Sequence, residues 1–206
     1  MKKKYRIILL IAILIFIFNT IFLPSIKSFM YQSIYKDLIE RINQHALSSN
    51  IKIIQLQYSD QENSSVLTVS AGASGVIIHR EENKYYALTA EHVIRELEDV
   101  DKTQIIVLGY DQLDMNDYLS KGGKLQSFES YYKQFPEGKV EYASEEYDLA
   151  LISFYADEDY TVLPNSQEMP KYGELIASMS NPSRKRNIVT VGRISTIKPR
   201  PFGDEA

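Results

Sequence analysis

Tyr85-Tyr86-Ala87-Leu88-Thr89-Ala90-Glu91-His92-Val93-Ile94 is the stretch on which the fold turns. Tyr85 to Thr89 is a β-rich run, and Ala90 to Leu97 is expected to be a short helical stretch. A strand therefore closes on a histidine at the mouth of a helix. Alone, the T-A-x-H pattern says little, because a single histidine is more often structural than catalytic. Its neighbours add weight. Upstream, Ala71-Gly72-Ala73-Ser74-Gly75-Val76-Ile77-Ile78 is a small-residue turn feeding a buried strand. Downstream, Tyr147-Asp148-Leu149-Ala150-Leu151-Ile152 places a lone acid at the head of an apolar strand. An acid there is costly to bury unless something pairs with it, and a histidine N–H is a suitable partner.

Outward from this stretch the chain continues as short β runs. They fall at 51–57, 65–70, 75–79, 104–108, 139–142, 149–155, 175–179, 188–191 and 194–197, with Gly, Pro and Asn between them. Residues 111 to about 138 are polar and tyrosine-rich, with Gly122-Gly123 and Pro136, and are expected to form a long loop or insertion. Many short strands and little helix predict an all-β fold, an antiparallel barrel or sandwich. A hydrophobic content of 44% in 206 residues suits one ordinary domain or two small barrels beside a targeting segment.

The beginning of the chain is such a segment. Lys2, Lys3, Lys4 and Arg6 precede an apolar run, Ile7 to Phe18, that resumes at Ile21 after Asn19 and Thr20. The 20 residues 7–26 would span about 30 Å of hydrocarbon as a helix. Basic residues 1–6 stay in the cytoplasm under the positive-inside rule, which makes the expected location a single-pass cell-membrane protein with its body outside. A cleaved signal peptide and a secreted product are the alternative, although no convincing small-x-small site follows. Residues 27–50 are assigned to a helical stalk, with Ile34, Leu38, Ile39, Ile42 and Leu47 near helical spacing. His45 falls in this stalk and is given no role.

Charge and composition exclude several classes. Five of the 23 basic residues lie in the first 30, leaving 18 basic against 27 acidic residues, a net of −9 for the body. An acidic body argues against nucleic acid as a partner. Arg184-Lys185-Arg186, the one basic cluster, is expected to be a solvated turn. With no cysteine there is no disulfide, thiolate metal site or cysteine nucleophile. His45, His79 and His92 form no H-x-x-x-H pair, and no glycine-rich loop resembles a nucleotide site, so no metal or cofactor is expected.

Residues 65 to 198 resemble the trypsin-like, chymotrypsin-fold serine proteases, nearest in flavour to the HtrA-type and glutamyl-endopeptidase-type branches. The turn before Val76, the T-A-x-H strand end and the Asp148-Leu149-Ala150-Leu151-Ile152 strand occur in that family's order. Gly173-Glu174-Leu175-Ile176-Ala177-Ser178-Met179-Ser180-Asn181-Pro182 is similar to its G-x-x-V-x-A-I-G-N-P stretch. Val189-Thr190-Val191-Gly192-Arg193-Ile194-Ser195 is similar to its V-T-x-G-x-V-S strand. The resemblance implies His92 as general base and Asp148 as the acid that orients it. Departures are Glu91 beside the histidine, Ser180 where the family prefers Gly, and a 56-residue His–Asp gap that the 111–138 insertion lengthens.

The family's nucleophile sits in G-[DN]-S-G-G, farther downstream than the 58 residues that follow Asp148. Ser153, Ser166, Ser178, Ser180, Ser183 and Ser195 lack its flanking glycines. The resemblance thus implies a protease domain over 51–206, incomplete at its C-terminal end, holding the first barrel and the start of the second. Three readings stay open. One is a serine endopeptidase lineage whose frame stops early and whose product is inactive. Another is a membrane-tethered pseudoprotease that binds a peptide or protein, with a partner covering the incomplete second barrel. The last is an unrelated extracytoplasmic β-domain in which His92 and Asp148 are structural.

Overall fold

The computed structural model of the chain describes residues 11, 13–61, 64–70, 72–96, 100–182 and 185–197, with only the backbone at 60, 61 and 64–66. It divides into two compact units, Met1–Arg41 and Ile42–Ala206.

The described part of the first unit is helical; the expected basic tail, 1–6, and residues 7–10 and 12 of the apolar run lie outside the described residues. From Ile13 to His45 the chain forms one helical run whose apolar window has a mean hydropathy of 1.8 and is not buried. By length and composition it can cross a membrane or serve as a signal. The run widens to a π-helical turn at Phe18–Phe22 before the α-helix α1, Leu23–His45. Pro24 supplies the reason: it has no N–H to donate, and its ring would crowd the carbonyl four residues back, so the preceding turn opens. The polar side chains here turn inward to the backbone, Asn19 donating to Ile15 O at 2.9 Å and Thr20 to Phe16 O at 2.7 Å. That self-satisfaction lets them stand within an apolar span.

The second unit is antiparallel β. Its strands are β1 (Asn50–Gln61), β2 (Ser64–Val69), β3 (Ala73–Glu81), β4 (Lys84–Thr89), β5 (Lys102–Leu108), β6 (Glu137–Ser144), β7 (Leu149–Tyr155), β8 (Leu175–Ser180) and β9 (Ile188–Arg193). Six of them close a barrel in the order β1-β3-β4-β7-β6-β5, with β5 returning to β1 and β2 appended to β1. The expected strand at 194–197 does not form, although Gly173 and Glu174 still exchange backbone bonds with Ile194. Ala90–Leu97 shortens to a 3-10 turn, Glu91–Val93, among the described residues.

Period-two alternation builds the barrel's interior. Ile51 and Ile53, Tyr85 and Ala87, and Ala150, Ile152 and Phe154 point into one core, where Tyr85 stacks on Phe154 at 5.7 Å between ring centres. Gly75 passes directly over Ile51 and Ile53; a Cβ there would stand 2.9 Å from Ile53 Cδ1, so the turn singled out in the sequence is small for a packing reason.

The 111–138 segment is not a bare loop. It folds into α2 (Met115–Ser120) and α3 (Phe128–Tyr132), which cover the outer face of β1 and β5. Tyr131 and Tyr132 bury Ile54, Leu56, Ile106 and Leu108 in a second core. Under this cover lies an ion pair, Lys52 Nζ to Asp114 Oδ2 at 3.0 Å, with the side chains 1% and 4% exposed. Asp114 also caps α2, accepting from the Asp117 N–H at 3.0 Å.

The β8–β9 hairpin is tied to the barrel by buried amides. Asn181 donates from its backbone to Ser74 Oγ at 2.7 Å and from its side chain to Ile51 O at 2.8 Å, while its Oδ1 accepts from Asn187 N at 2.9 Å. The expectation of a solvated basic turn needs correction at one residue. Lys185 is exposed, but Arg186 is partly buried and donates to Gly109 O at 2.6 Å and to Gln112 O; Arg184 lies outside the described residues.

Candidate active site

Two turns at one end of the barrel make the site. The first leaves β4. Thr89, the last residue of that strand, faces inward and donates its hydroxyl to Ser74 O at 2.9 Å. The chain then tightens into the 3-10 turn, with Ile94 N–H bonded to Glu91 O at 2.9 Å and the Ile94 side chain buried in the inner core. With Glu91 and Ile94 turned inward, His92 is presented outward, 65% exposed.

The second turn, residues 145–148, leads into β7. Asp148 closes it with a left-handed backbone, φ 47°, and bonds its N–H to Glu145 O at 3.2 Å. Aspartate tolerates this region better than most residues. The conformation aims the carboxylate across to the neighbouring turn, because β4 and β7 are paired up to the rung Thr89–Ala150.

His92 and Asp148, 56 residues apart in sequence, meet through three contacts. His92 Nδ1 lies 2.8 Å from Asp148 Oδ2 and 2.9 Å from Oδ1, and the His92 backbone N–H donates to Oδ1 at 3.0 Å. Both sequence-predicted site residues are therefore brought together. The Nδ1 edge of the ring is engaged, and Nε2 lies on the opposite edge of an exposed imidazole. With the proton on Nδ1, Nε2 carries a lone pair able to accept a proton from a bound hydroxyl.

Electrostatics follow from these bonds. The His92 backbone N–H, and after it the His92 ring, outweigh the burial of Asp148 and hold its carboxyl below the ordinary 3.8. Because the folded value lies below the unfolded one, the pair contributes its full stability above about pH 4 and loses it as pH falls through the folded value. We expect the Asp148 side-chain carboxyl carbon to titrate in NMR with a midpoint below 3.8, and the His92 amide signal to move with the same midpoint. A midpoint at or above 3.8 would contradict the three contacts.

Two further residues, not singled out in the sequence, frame the pair. Arg95 Nε bonds both Glu91 carboxylate oxygens at 3.0 Å, and Arg95 Nη2 reaches Glu91 Oε2 at 2.5 Å and Glu145 Oε1 at 3.2 Å. The Arg95 bond lowers the Glu91 carboxyl from its ordinary value, so Glu91 stands beside His92 as a neutralised partner and not as a free anion. The i, i+4 spacing of Glu91 and Arg95 was the available signal for half of this arrangement. Glu145 carried none.

The candidate serines are elsewhere. Ser153 is buried in β7 and donates to Glu141 Oε1 at 2.7 Å; Ser166 donates to Glu168 O at 3.1 Å. Ser178 and Ser180 belong to β8, Ser195 follows β9, and Ser183 lies outside the described residues. Among the described residues no serine hydroxyl meets His92.

No curated protein matches the chain. Residues 73–205 match the trypsin-like peptidase domain, and this stretch contains both turns, the barrel strands β3 to β7 and the β8–β9 hairpin. A closed six-stranded antiparallel barrel agrees with that match, and it removes the reading of an unrelated β-domain. The chain belongs to the trypsin-like peptidase domain family.

Proposed function

We propose that this is a membrane-anchored, extracytoplasmic protein of the serine-peptidase type, in which His92 and Asp148 are the acid–base half of a Ser-His-Asp triad. The observation that carries the reading is the His92 Nδ1 to Asp148 contact at 2.8 Å, reinforced by the backbone N–H of His92 on the same carboxylate. In peptide hydrolysis, Nε2 takes the serine proton as Oγ attacks the scissile carbonyl carbon. The imidazolium, stabilised by Asp148, then returns that proton to the leaving amine. Water repeats the cycle on the acyl-enzyme. The anchor reading is supported by the apolar helical run and by the basic residues Lys2, Lys3, Lys4 and Arg6 before it.

A second reading is a pseudoprotease that binds a peptide or protein. It is favoured by the absence, among the described residues, of a serine at His92. An apolar groove of about 330 Å³, lined by Val76, Leu88, Leu163 and Met179 among others, offers it a surface.

The 206-residue chain is expected neither to hydrolyse peptides nor to take up a fluorophosphonate covalently. The check is labelling of the purified chain followed by denaturation and mass spectrometry. A denaturation-stable label on one serine, abolished in His92→Ala, would place the nucleophile within these residues and overturn that expectation.

A further inference from the structure

The two turns of the site lie beyond the last rung of the β4–β7 ladder. Past Thr89–Ala150, the direct polar links between them among the described residues are the His92–Asp148 bonds and the Arg95–Glu145 ion pair. One of these turns is held in an unfavourable backbone, Asp148 at φ 47°. A left-handed non-glycine residue persists only where its surroundings hold it there.

We infer that Arg95 is a positioning residue: by gripping Glu91 in the histidine turn and Glu145 in the aspartate turn at once, it keeps His92 and Asp148 at bonding distance. This rests on reading His92–Asp148 as the acid–base pair. The planar guanidinium suits the task, since its Nε and Nη2 hold Glu91 in a fork while Nη2 also lies 3.2 Å from the Glu145 carboxylate, an arrangement a lysine ammonium cannot keep in fixed geometry. Three hydrogen bonds go to Glu91, which is buried, and an ion pair spans to Glu145. The Arg95 carbonyl is itself anchored, accepting from Gln55 Nε2 of β1 at 3.2 Å, so the clamp is referred to the barrel wall. Its positive charge also contributes to keeping Asp148 ionised.

The test reads the ring itself. The full chain, in detergent micelles and labelled with ring-15N histidine, contains three histidines, and His92→Gln assigns the signal of His92. In the unaltered protein the neutral ring is expected as a single Nδ1–H tautomer. Glu145→Ala cuts only the cross-turn link, at a side chain 80% exposed, and leaves Glu91–Arg95 intact. It should convert His92 to a mixture of tautomers with averaged 15N shifts, without changing the unfolding midpoint. Arg95→Gln should do the same, and Arg95→Lys should restore part of the Nδ1–H population. A single Nδ1–H tautomer in Glu145→Ala overturns the inference, whatever Arg95→Gln does. Failure of the underlying pair is separately visible: Asp148→Asn would then leave the His92 spectrum unchanged.

Discussion

Asp148→Asn will move the His92 ring proton from Nδ1 to Nε2, taking away the lone pair with which Nε2 could accept a hydroxyl proton. The argument is geometric. The His92 backbone N–H donates to Oδ1 at 3.0 Å, so the oxygen of a substituted amide is retained on that side. Its NH2 then occupies the place of Oδ2, 2.8 Å from the ring Nδ1. An NH2 group can only donate; with the amide oxygen, 2.9 Å from Nδ1, already taking the His92 backbone N–H, Nδ1 becomes the acceptor of the shorter contact and the neutral ring carries its proton on Nε2. That is the atom needed to receive the serine proton. Ring-15N spectra of the 206-residue chain check the tautomer without any activity. A ring that stays on Nδ1–H in Asp148→Asn would refute the prediction.

Lys52→Ala will cost about 3–5 kcal/mol of folding stability, because it strands the Asp114 charge between the barrel wall and α2–α3. Removing Lys52 leaves the buried Asp114 charge with the Asp117 N–H but no ion-pair partner on Oδ2, and typical domains have only about 5–15 kcal/mol in total. Burial works against ionisation of Asp114, but the Asp117 N–H and the Lys52 ammonium outweigh it and hold the carboxyl below its ordinary 3.8. The pair's stabilisation is thus present above that value and lost as pH falls through the folded one. Lys52→Met combined with Asp114→Asn should recover most of the loss, since the amide oxygen can still cap α2. Urea unfolding followed by tyrosine fluorescence is the measurement, the chain having 15 tyrosines and no tryptophan. A loss below about 1 kcal/mol for Lys52→Ala would show that the site re-solvates on truncation.

The 111–138 insertion shows why local pattern stops short of structure. α2 and α3 are six and five residues long, below the length at which helical periodicity can stand out or a helix can sustain itself. They exist because Asp114 and Ser127 cap them and because Tyr131 and Tyr132 have the apolar outer wall of β1 and β5 to cover. Lys52 stands between two isoleucines, and nothing nearby in sequence announces the α2–α3 cover that buries it. Arg186 is a parallel case, its partners Gly109 and Gln112 lying more than 70 residues upstream.

What could be read directly was whatever repeats or signals over a few residues. The alternation of Tyr85-Ala87-Thr89 and Ala150-Ile152-Phe154, the apolar run at the start, and the placement of His92 and Asp148 at a strand's end and a strand's head are all local. They sufficed for the barrel and for the family. Distances across the chain are not local. That His92 and Asp148 meet at 2.8 Å, and that Arg95 spans to Glu145, depends on β4 and β7 being neighbours in the closed six-stranded sheet. Side-chain periodicity specifies which face of a strand is buried; which strands become neighbours, and so which turns share an end of the barrel, is set by the closure of the whole sheet.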